Sequence, residues 1–159
     1  MSEGEKLIAT NSSARSNYFI EAVYEAGIVL SGTEVKSLRA QSPNLKDSWI
    51  EVRATRPSQL EAWLNHAHIA PYSHGNIWNH EPTRARKLLL HKHEIEKIFG
   101  ATTQKGLTAV PLRMYFKKGR VKVEVGLGKG KKKHDKRAST REKSEKREMS
   151  RALKKTSRK

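Results

Sequence analysis

Histidines and carboxylates are the residues of this 159-residue chain whose spacing could serve metal binding or catalysis. Two His-x-His pairs occur, His66 with His68 and His91 with His93, and a strand would turn both members of a pair to one face, as a zinc site needs. The chain has no cysteine, however, and no third ligand follows at a suitable spacing. Paired carboxylates and a Ser/His/Asp set do not stand out either. The sequence therefore predicts no catalytic residue, no metal site and no cofactor.

A second candidate is the stretch from Gly126 to His134, in which glycines and lysines dominate. Its spacing fits neither the Walker A pattern nor Gly-x-Gly-x-x-Gly, and no apolar helix follows it. We interpret this stretch as a flexible hinge, whose exposed backbone and cations would suit a phosphate backbone.

The charge of the chain points to a polyanionic partner. The formal net charge is +17, and 15 of the 33 Lys and Arg residues fall within residues 129–159. Such a balance favours nucleic acid over a membrane as the partner. The first residues lack a signal-peptide pattern, and no apolar run approaches the roughly 18 residues of a membrane span. We therefore expect a cytoplasmic protein without a membrane partner.

Apolar alternation predicts the elements that would position these residues. Strands are expected over 18–24, 28–30, 48–53, 60–64 and, interrupted by Pro71, 67–72, and a hairpin over 107–116 and 120–127. Helices are expected over 33–39 and 91–99, with Gly100 as the stop of the second. This pattern predicts a mainly β fold, an OB-like antiparallel barrel with two or three short flanking helices.

Three segments follow from composition: a flexible N-terminus over 1–12, the barrel over 13–128, and a basic tail over 129–159. Large apolar residues are too few in the tail to build a core. We expect it to be disordered when free and helical on a nucleic acid that neutralises its charge.

Cations also recur beside aromatic residues in the barrel segment. Cations bind phosphates and aromatic rings stack on unpaired bases, but a solvated surface with core aromatics would give the same composition. Both interpretations stay open for the pattern, which comprises Arg15, Arg39, Arg84, Arg86, Lys87, Lys117, Lys118 and Arg120 near Tyr18, Trp78, Tyr115 and Phe116.

Several segments, in order from residue 11 to residue 137, together resemble the SsrA-binding protein family, the bacterial partners of transfer-messenger RNA. They include YEAGIVL at 24–30, GTEVKSLR at 32–39, NLKDS at 44–48, NHEPTRARKLLLH at 79–91 and GKGKKKHDKR at 128–137. Two positions depart from the usual family pattern: Ser16 stands where a histidine or a similar residue is usual, and Met149 where the tail often has tryptophan.

The resemblance implies an OB-like barrel without enzymatic activity that binds the tRNA-like domain of transfer-messenger RNA. It implies delivery of that RNA to stalled ribosomes for trans-translation, with the tail in the empty mRNA channel beside the decoding region and small-subunit RNA. Elongation factor Tu would join through the RNA, and the protein would be a monomer. Another OB-type ribosome-associated or rRNA-binding assembly protein remains the alternative.

The residues that would carry these contacts fall into two sets. The RNA-binding set, built on family motifs and neighbouring cations, is Asn11, Arg15, Glu25, Lys36, Arg84, Arg86, Lys87 and Leu89. The ribosome-binding set in the tail is Lys129, Lys131, Lys132, Lys133, His134, Lys136, Arg137, Lys146, Arg147 and Met149.

Overall fold

The computed structural model describes residues 4–157. In this part of the chain it contains seven strands, four α-helices and one short 3-10 turn at Asn76–Trp78. In chain order the elements are β1 (Glu5–Thr10), α1 (Ser12–Asn17), β2 (Tyr18–Ile28), α2 (Gly32–Ala40), β3 (Trp49–Arg56), β4 (Gln59–Asn65), β5 (Arg86–Leu89), α3 (Lys92–Gln104), β6 (Thr108–Lys117), β7 (Arg120–Gly130) and α4 (Lys133–Thr156).

The strands form an antiparallel sheet that closes on itself. Its order is β1-β6-β3-β4-β5-β2-β7, and β6 also pairs with β7. Closure therefore runs through β6, β3, β4, β5, β2 and β7, while β1 extends the sheet along the far half of β6. The prediction of a mainly β, OB-like barrel is confirmed.

Alternation along β7 shows how the sequence builds this barrel. Val121, Val123 and Val125 are buried in the core, whereas Lys122 and Glu124 lie between them on the outer surface. Successive side chains of a strand point to opposite faces, so a period of two places charge outside and valine inside.

The glycine-rich stretch is part of this barrel, and the prediction of a flexible hinge is wrong for 126–130. β7 continues to Gly130 and pairs with β2 along its length. A Cβ atom on Gly128 would lie 2.7 Å from the backbone oxygen of Phe19, and one on Gly126 would lie 2.9 Å from Leu112. These glycines permit close packing, since any side chain there would collide with a neighbour.

The N-terminal prediction also needs correction. Glu5–Thr10 forms β1 and pairs with β6, so residues 5–10 are not a loose segment; Met1, Ser2 and Glu3 lie outside the described residues. Backbone groups along the far half of β6 need hydrogen-bond partners, and β1 supplies them while Ile8 and Ala9 pack against the core. Sequence alternation did not reveal this strand because it is short and partly exposed.

Three element boundaries differ from the predictions. Residues 18–28 form one strand where two were expected, and a strand was expected around Ile69 where the structure has one isolated bridge between Asn44 and His68. Helix α3 continues through Gly100 to Gln104 because Ala101 is buried beneath it. Its stop is Gly106 instead, whose φ of 65° lies in the left-handed region that glycine adopts without strain.

The tail forms the 24-residue helix α4, and two residues, Lys131 and Lys132, separate it from the end of β7. Its described side chains are all at least partly exposed, and its pairs Arg141–Glu145 and Lys146–Glu142 are local i,i+4 contacts. Pairs of this kind stabilise an isolated helix only slightly. The prediction that this segment is disordered when free stays a prediction. Among the described residues, no helix is long and apolar enough to cross a membrane.

Candidate nucleic-acid interface

One side of the barrel gathers polar side chains from β2, β7 and β6. Glu25 on β2 lies opposite Glu124 on β7, and Glu124 lies opposite Arg113 on β6. Tyr115, two residues further along β6 on the same side of the strand, lies opposite Lys122 but is itself buried, 1% exposed. Directly opposed residues of antiparallel strands share a face. We call this set, Glu25, Arg113, Tyr115, Lys122 and Glu124, the outer face.

Glu25 is held there as an exposed carboxylate. The hydroxyl of Tyr115 donates a hydrogen bond to Glu25 Oε2, and Lys117 Nζ lies 3.2 Å from the same oxygen. The hydrogen bond from Tyr115 lowers the pKa of Glu25; the weaker effect of burial opposes it, and Lys117 and Lys122 lower it further. Burial, followed by the hydrogen bond to Glu25, raises the pKa of Tyr115 above its ordinary value. Glu25 is therefore an ionised acceptor at neutral pH.

Arg113 links this carboxylate to helix α1. Its Nε lies 2.6 Å from Glu124 Oε2, and its guanidinium carbon lies 4.4 Å from the centre of the Tyr115 ring. Glu124 also pairs with Arg15 of α1 at 3.7 Å. Two predicted RNA-binding residues, Arg15 and Glu25, are therefore joined by one chain of contacts. It runs through Glu124, Arg113 and Tyr115 of the β6–β7 hairpin.

Leu89 lies beside this face. β5 pairs with β2 so that Leu89 is opposite Gly27, and a Cβ on Gly27 would lie 3.3 Å from the Leu89 Cβ. Leu89 is 54% exposed, unusual for leucine, and lines a groove of about 290 Å³ with Val35 and Lys122. The groove offers an apolar contact next to cations, which suits a base or ribose attached to a phosphate backbone.

Asn11 lies between β1 and α1 and is turned inward. It is 6% exposed; its Nδ2 donates to the carbonyl of Pro111 at 2.9 Å, and its Oδ1 accepts from Ser13 at 2.8 Å. Its backbone N–H donates to the carbonyl of Leu112. In this structure Asn11 fixes the start of α1, and with it the position of Arg15. A direct contact between Asn11 and RNA stays a prediction.

The prediction that Arg86 contacts RNA conflicts with its burial. Arg86 is fully buried and pairs with the fully buried Glu34 on α2. It also donates to the carbonyl oxygens of Ala67 at 2.7 Å and Pro82 at 2.9 Å. An arginine with its donors committed in the interior cannot reach a phosphate, so its role is to hold the 81–86 segment against α2.

Glu34 is the centre of this buried cluster. It accepts from both Arg86 and Arg84, with the Arg84 Nε 2.5 Å away. Burial alone would raise the pKa of Glu34, but the hydrogen bonds and charges of Arg86 and Arg84 outweigh it, and the pKa lies below its ordinary value. Glu34 lies in the first turn of α2, within the predicted 33–39 helix, and that position alone does not predict a buried ion pair. Its two partners, 50 and 52 residues away, could not be read from spacing.

The other three predicted cations lie apart from the outer face. Lys36 has its Nζ 5.7 Å from the centre of the Tyr72 ring, Lys87 Nζ lies 3.3 Å from Glu61, and Arg84 is committed to Glu34. The structure thus brings together Arg15, Glu25 and Leu89, and Lys117 and Lys122 are the neighbouring cations that site prediction from the sequence left out.

The first residue after β7, Lys131, is hydrogen-bonded to α1. Lys131 donates its backbone N–H to the carbonyl of Asn17 at 2.8 Å, and its Nζ to the carbonyl of Arg15 at 3.2 Å. The same ammonium lies 4.8 Å from the centre of the Phe19 ring. Lys131 is therefore engaged with the barrel, and it sets the direction in which α4 leaves.

The remaining tail residues of the predicted set are exposed. Spacings of three and four place much of the basic charge on one side of α4, including Lys133, Lys136, Arg137 and Arg147. His134 lies 3.3 Å from Asp135. The exposed members are Lys129, Lys132, Lys133, His134, Lys136, Arg137, Lys146, Arg147 and Met149.

Comparison with known proteins identifies the family. A sequence model of the SmpB protein family matches residues 8–155. The chain is 54% identical over 153 residues to an SsrA-binding protein of Halalkalibacterium halodurans, with 96% of each chain covered. It is also 54% identical over 154 residues to an SsrA-binding protein of Geobacter metallireducens, with 97% of each covered. This chain belongs to the SmpB family.

A solved structure agrees with this assignment. A chain described under "tmRNA-SmpB: a journey to the center of the bacterial ribosome" matches with a TM-score of 0.65 and 44% identity, covering 86% of this chain and 96% of that one. The family resemblance predicted from the sequence motifs is thereby confirmed.

The two positions predicted to depart from the usual family pattern are exposed. Ser16 is exposed on α1, next to Arg15, and Met149 is 67% exposed on α4. Neither supports the core, so each can affect a contact surface without affecting the fold.

Proposed function

We propose that this SmpB family member binds the tRNA-like domain of transfer-messenger RNA, delivers it to stalled ribosomes for trans-translation, and has no enzymatic activity. The observation that carries the proposal is the nearly full-length match to proteins named SsrA-binding protein. The description of the solved relative names transfer-messenger RNA, SmpB and the bacterial ribosome together. A net charge of +17 agrees with two RNA partners.

The outer face and the residues beside it, Arg15, Leu89 and Lys117, supply the RNA contacts. Glu25 accepts hydrogen bonds from base amino groups or a ribose 2′-hydroxyl, which is how a carboxylate can serve at an RNA surface. Arg15, Lys117 and Lys122 bind phosphates around it, and Leu89 covers an apolar part of a base or sugar. Asn11 acts indirectly, by fixing the start of α1 and with it the position of Arg15.

The tail binds the ribosome. We place α4 in the empty mRNA channel, with its basic side towards small-subunit RNA of the decoding region and channel. A helix of this length extends about 36 Å at 1.5 Å per residue. The anchoring of Lys131 to α1 supports this division of labour, because it separates the RNA-binding barrel from the basic helix at a defined point.

Three further parts of the proposal concern a protein partner, the oligomeric state and the location in the cell. Elongation factor Tu joins the complex through the tRNA-like RNA, the protein acts as a monomer, and it works in the cytoplasm with its ribosome. Closure of the barrel supports the monomer, since a closed sheet presents few edges to a second copy.

Equilibrium binding to an isolated tRNA-like domain tests the proposal. Leu89→Ala in the full chain is expected to weaken binding about tenfold, within the range of one lost apolar or stacking contact. Leu153→Ala is the matched control, because Leu153 is equally a surface leucine, 71% exposed, but lies on α4. Equal affinities for the two variants would contradict the assignment of the outer face.

A further inference from the structure

A short turn on the opposite side of α2 from the Leu89 groove presents two large apolar side chains to solvent. Ile77 is 87% exposed and Trp78 is 83% exposed. An exposed tryptophan leaves roughly 150 to 250 Å² of surface in water that burial would remove. Neither residue contributes to the core or to the outer face, so the barrel does not explain them.

The turn is fixed from both sides. The side-chain amide of Asn79 pairs with both backbone groups of Tyr72: Nδ2 donates to the Tyr72 carbonyl at 2.6 Å, and Oδ1 accepts from its N–H at 3.0 Å. His80 bridges Thr33 Oγ1 and the carbonyl of Ile69, each at 2.9 Å. Gly75 leaves room for this arrangement, since a Cβ there would lie 2.7 Å from Asn79 Nδ2.

The surroundings of the turn are aromatic and basic. The His74 ring centre lies 5.4 Å from that of Tyr72, and Lys36 Nζ lies 5.7 Å from the Tyr72 ring. Arg39 is exposed one turn further along α2. The carboxylate of this segment, Glu81, accepts a hydrogen bond from Thr83. Lys36 and Arg39 can therefore bind phosphates here, beside the Tyr72 ring that is already held in place.

We propose that Trp78 is a stacking platform for an unpaired RNA base, with Lys36 and Arg39 contacting the flanking phosphates. The turn that carries Trp78 is fixed by the hydrogen bonds of Asn79 and His80, so its backbone loses little conformational entropy on binding, and every base offers a face to stack on. The site goes beyond the proposed function, because it lies apart from the outer face and takes a single-stranded nucleotide instead of a folded tRNA-like domain. The nucleotide belongs either to transfer-messenger RNA or to ribosomal RNA.

The chain offers a matched control for this idea. Ile77 lies in the same turn with similar exposure but has no aromatic face. A base would use Trp78 alone, whereas a lipid surface or a hydrophobic protein partner would use Ile77 and Trp78 together. Both side chains are solvent-exposed, so neither substitution is expected to change the melting temperature.

The test measures binding of the full chain to a single-stranded RNA of about eight nucleotides at about 0.2 M salt. Trp78→Ala is expected to weaken binding roughly tenfold, Trp78→Phe and Ile77→Ala by less than about threefold, and a duplex of equal charge should bind all variants alike. Equal losses for Trp78→Ala and Ile77→Ala, a loss limited to anionic phospholipid vesicles, or no loss would each overturn the proposal.

The source of the base is found by repeating the comparison with full-length transfer-messenger RNA and with small ribosomal subunits. A loss with Trp78→Ala in either arm supports the stacking site and names its source, and a loss in neither overturns it. The Leu89→Ala experiment is independent, so failure of the outer face and failure of the Trp78 site give different results.

Discussion

Replacing the buried carboxylate Glu34 by glutamine is expected to destabilise the barrel strongly. Glu34 and Arg86 are both fully buried, and Arg84 donates to Glu34 from the side. Glutamine keeps the shape but removes the negative charge, so the guanidinium of Arg86 remains buried without its counter-ion. Breaking a buried pair in this way costs about 3 to 5 kcal/mol of unfolding free energy.

For a chain of this length that cost corresponds to a fall in melting temperature of roughly 6 to 20 °C. Thermal unfolding followed by circular dichroism measures it. Glu51→Gln is the control, because its ion pair with Arg53 is at the surface, with side chains 48% and 43% exposed. Loss of that pair is expected to cost under about 1 kcal/mol.

The pH dependence of the free energy of unfolding gives a second, independent prediction: the direction in which the stabilising contribution of Glu34 changes with pH. The pKa of Glu34 is lowered on folding from its ordinary value of 4.5. Its contribution is therefore fully present above that value and is lost as pH falls through the lower folded pKa. The difference in melting temperature between the native chain and Glu34→Gln should therefore become smaller in acid. A melting temperature for Glu34→Gln that matches Glu51→Gln at pH 7 would refute the reasoning.

Three further outcomes are expected. Tyr115→Phe removes the hydrogen bond to Glu25, so the pKa of Glu25 should rise towards 4.5 and affinity for the tRNA-like RNA should fall severalfold; unchanged affinity in a binding titration would contradict this. Truncation after Lys132 should keep RNA binding but abolish rescue of stalled ribosomes in a translation assay, and a large loss of RNA affinity would show that α4 is the anchor. Log affinity for RNA should fall linearly with log salt at a slope of about −0.7 to −0.9 per phosphate neutralised, and a flat response would argue against the basic surface.

The sequence predicted the barrel well where one face of a strand is apolar. The Val121–Val125 alternation and the 107–127 hairpin are strong signals, because local periodicity directly reports which face is buried. β5 was missed since its first residue, Arg86, reads as a surface cation, although it is buried by its pairing with Glu34. A long-range ion pair has no local pattern.

The candidate RNA interface could be predicted only in part, again because contacts between distant residues have no local sequence pattern. Glu25 and Leu89 came from family motifs, and the structure puts them on neighbouring strands. The contacts through Arg113 and Tyr115 that hold Glu25 depend on the register of β6, β7 and β2, which residue types alone do not fix. The exposure of Trp78 could be predicted, because the polar, Gly/Asn/His-rich composition of 73–82 indicates a loop in which Ile77 and Trp78 are exposed, and the structure confirms this.

The most direct test of the central claim is to identify the RNA that the full chain holds in cells. The tagged protein is recovered from a bacterial lysate and the bound RNA is sequenced, with the Leu89→Ala variant recovered in parallel. Transfer-messenger RNA should be strongly enriched with the native chain and clearly less with Leu89→Ala. Enrichment of ribosomal RNA alone, with no transfer-messenger RNA above background, would contradict the proposed function.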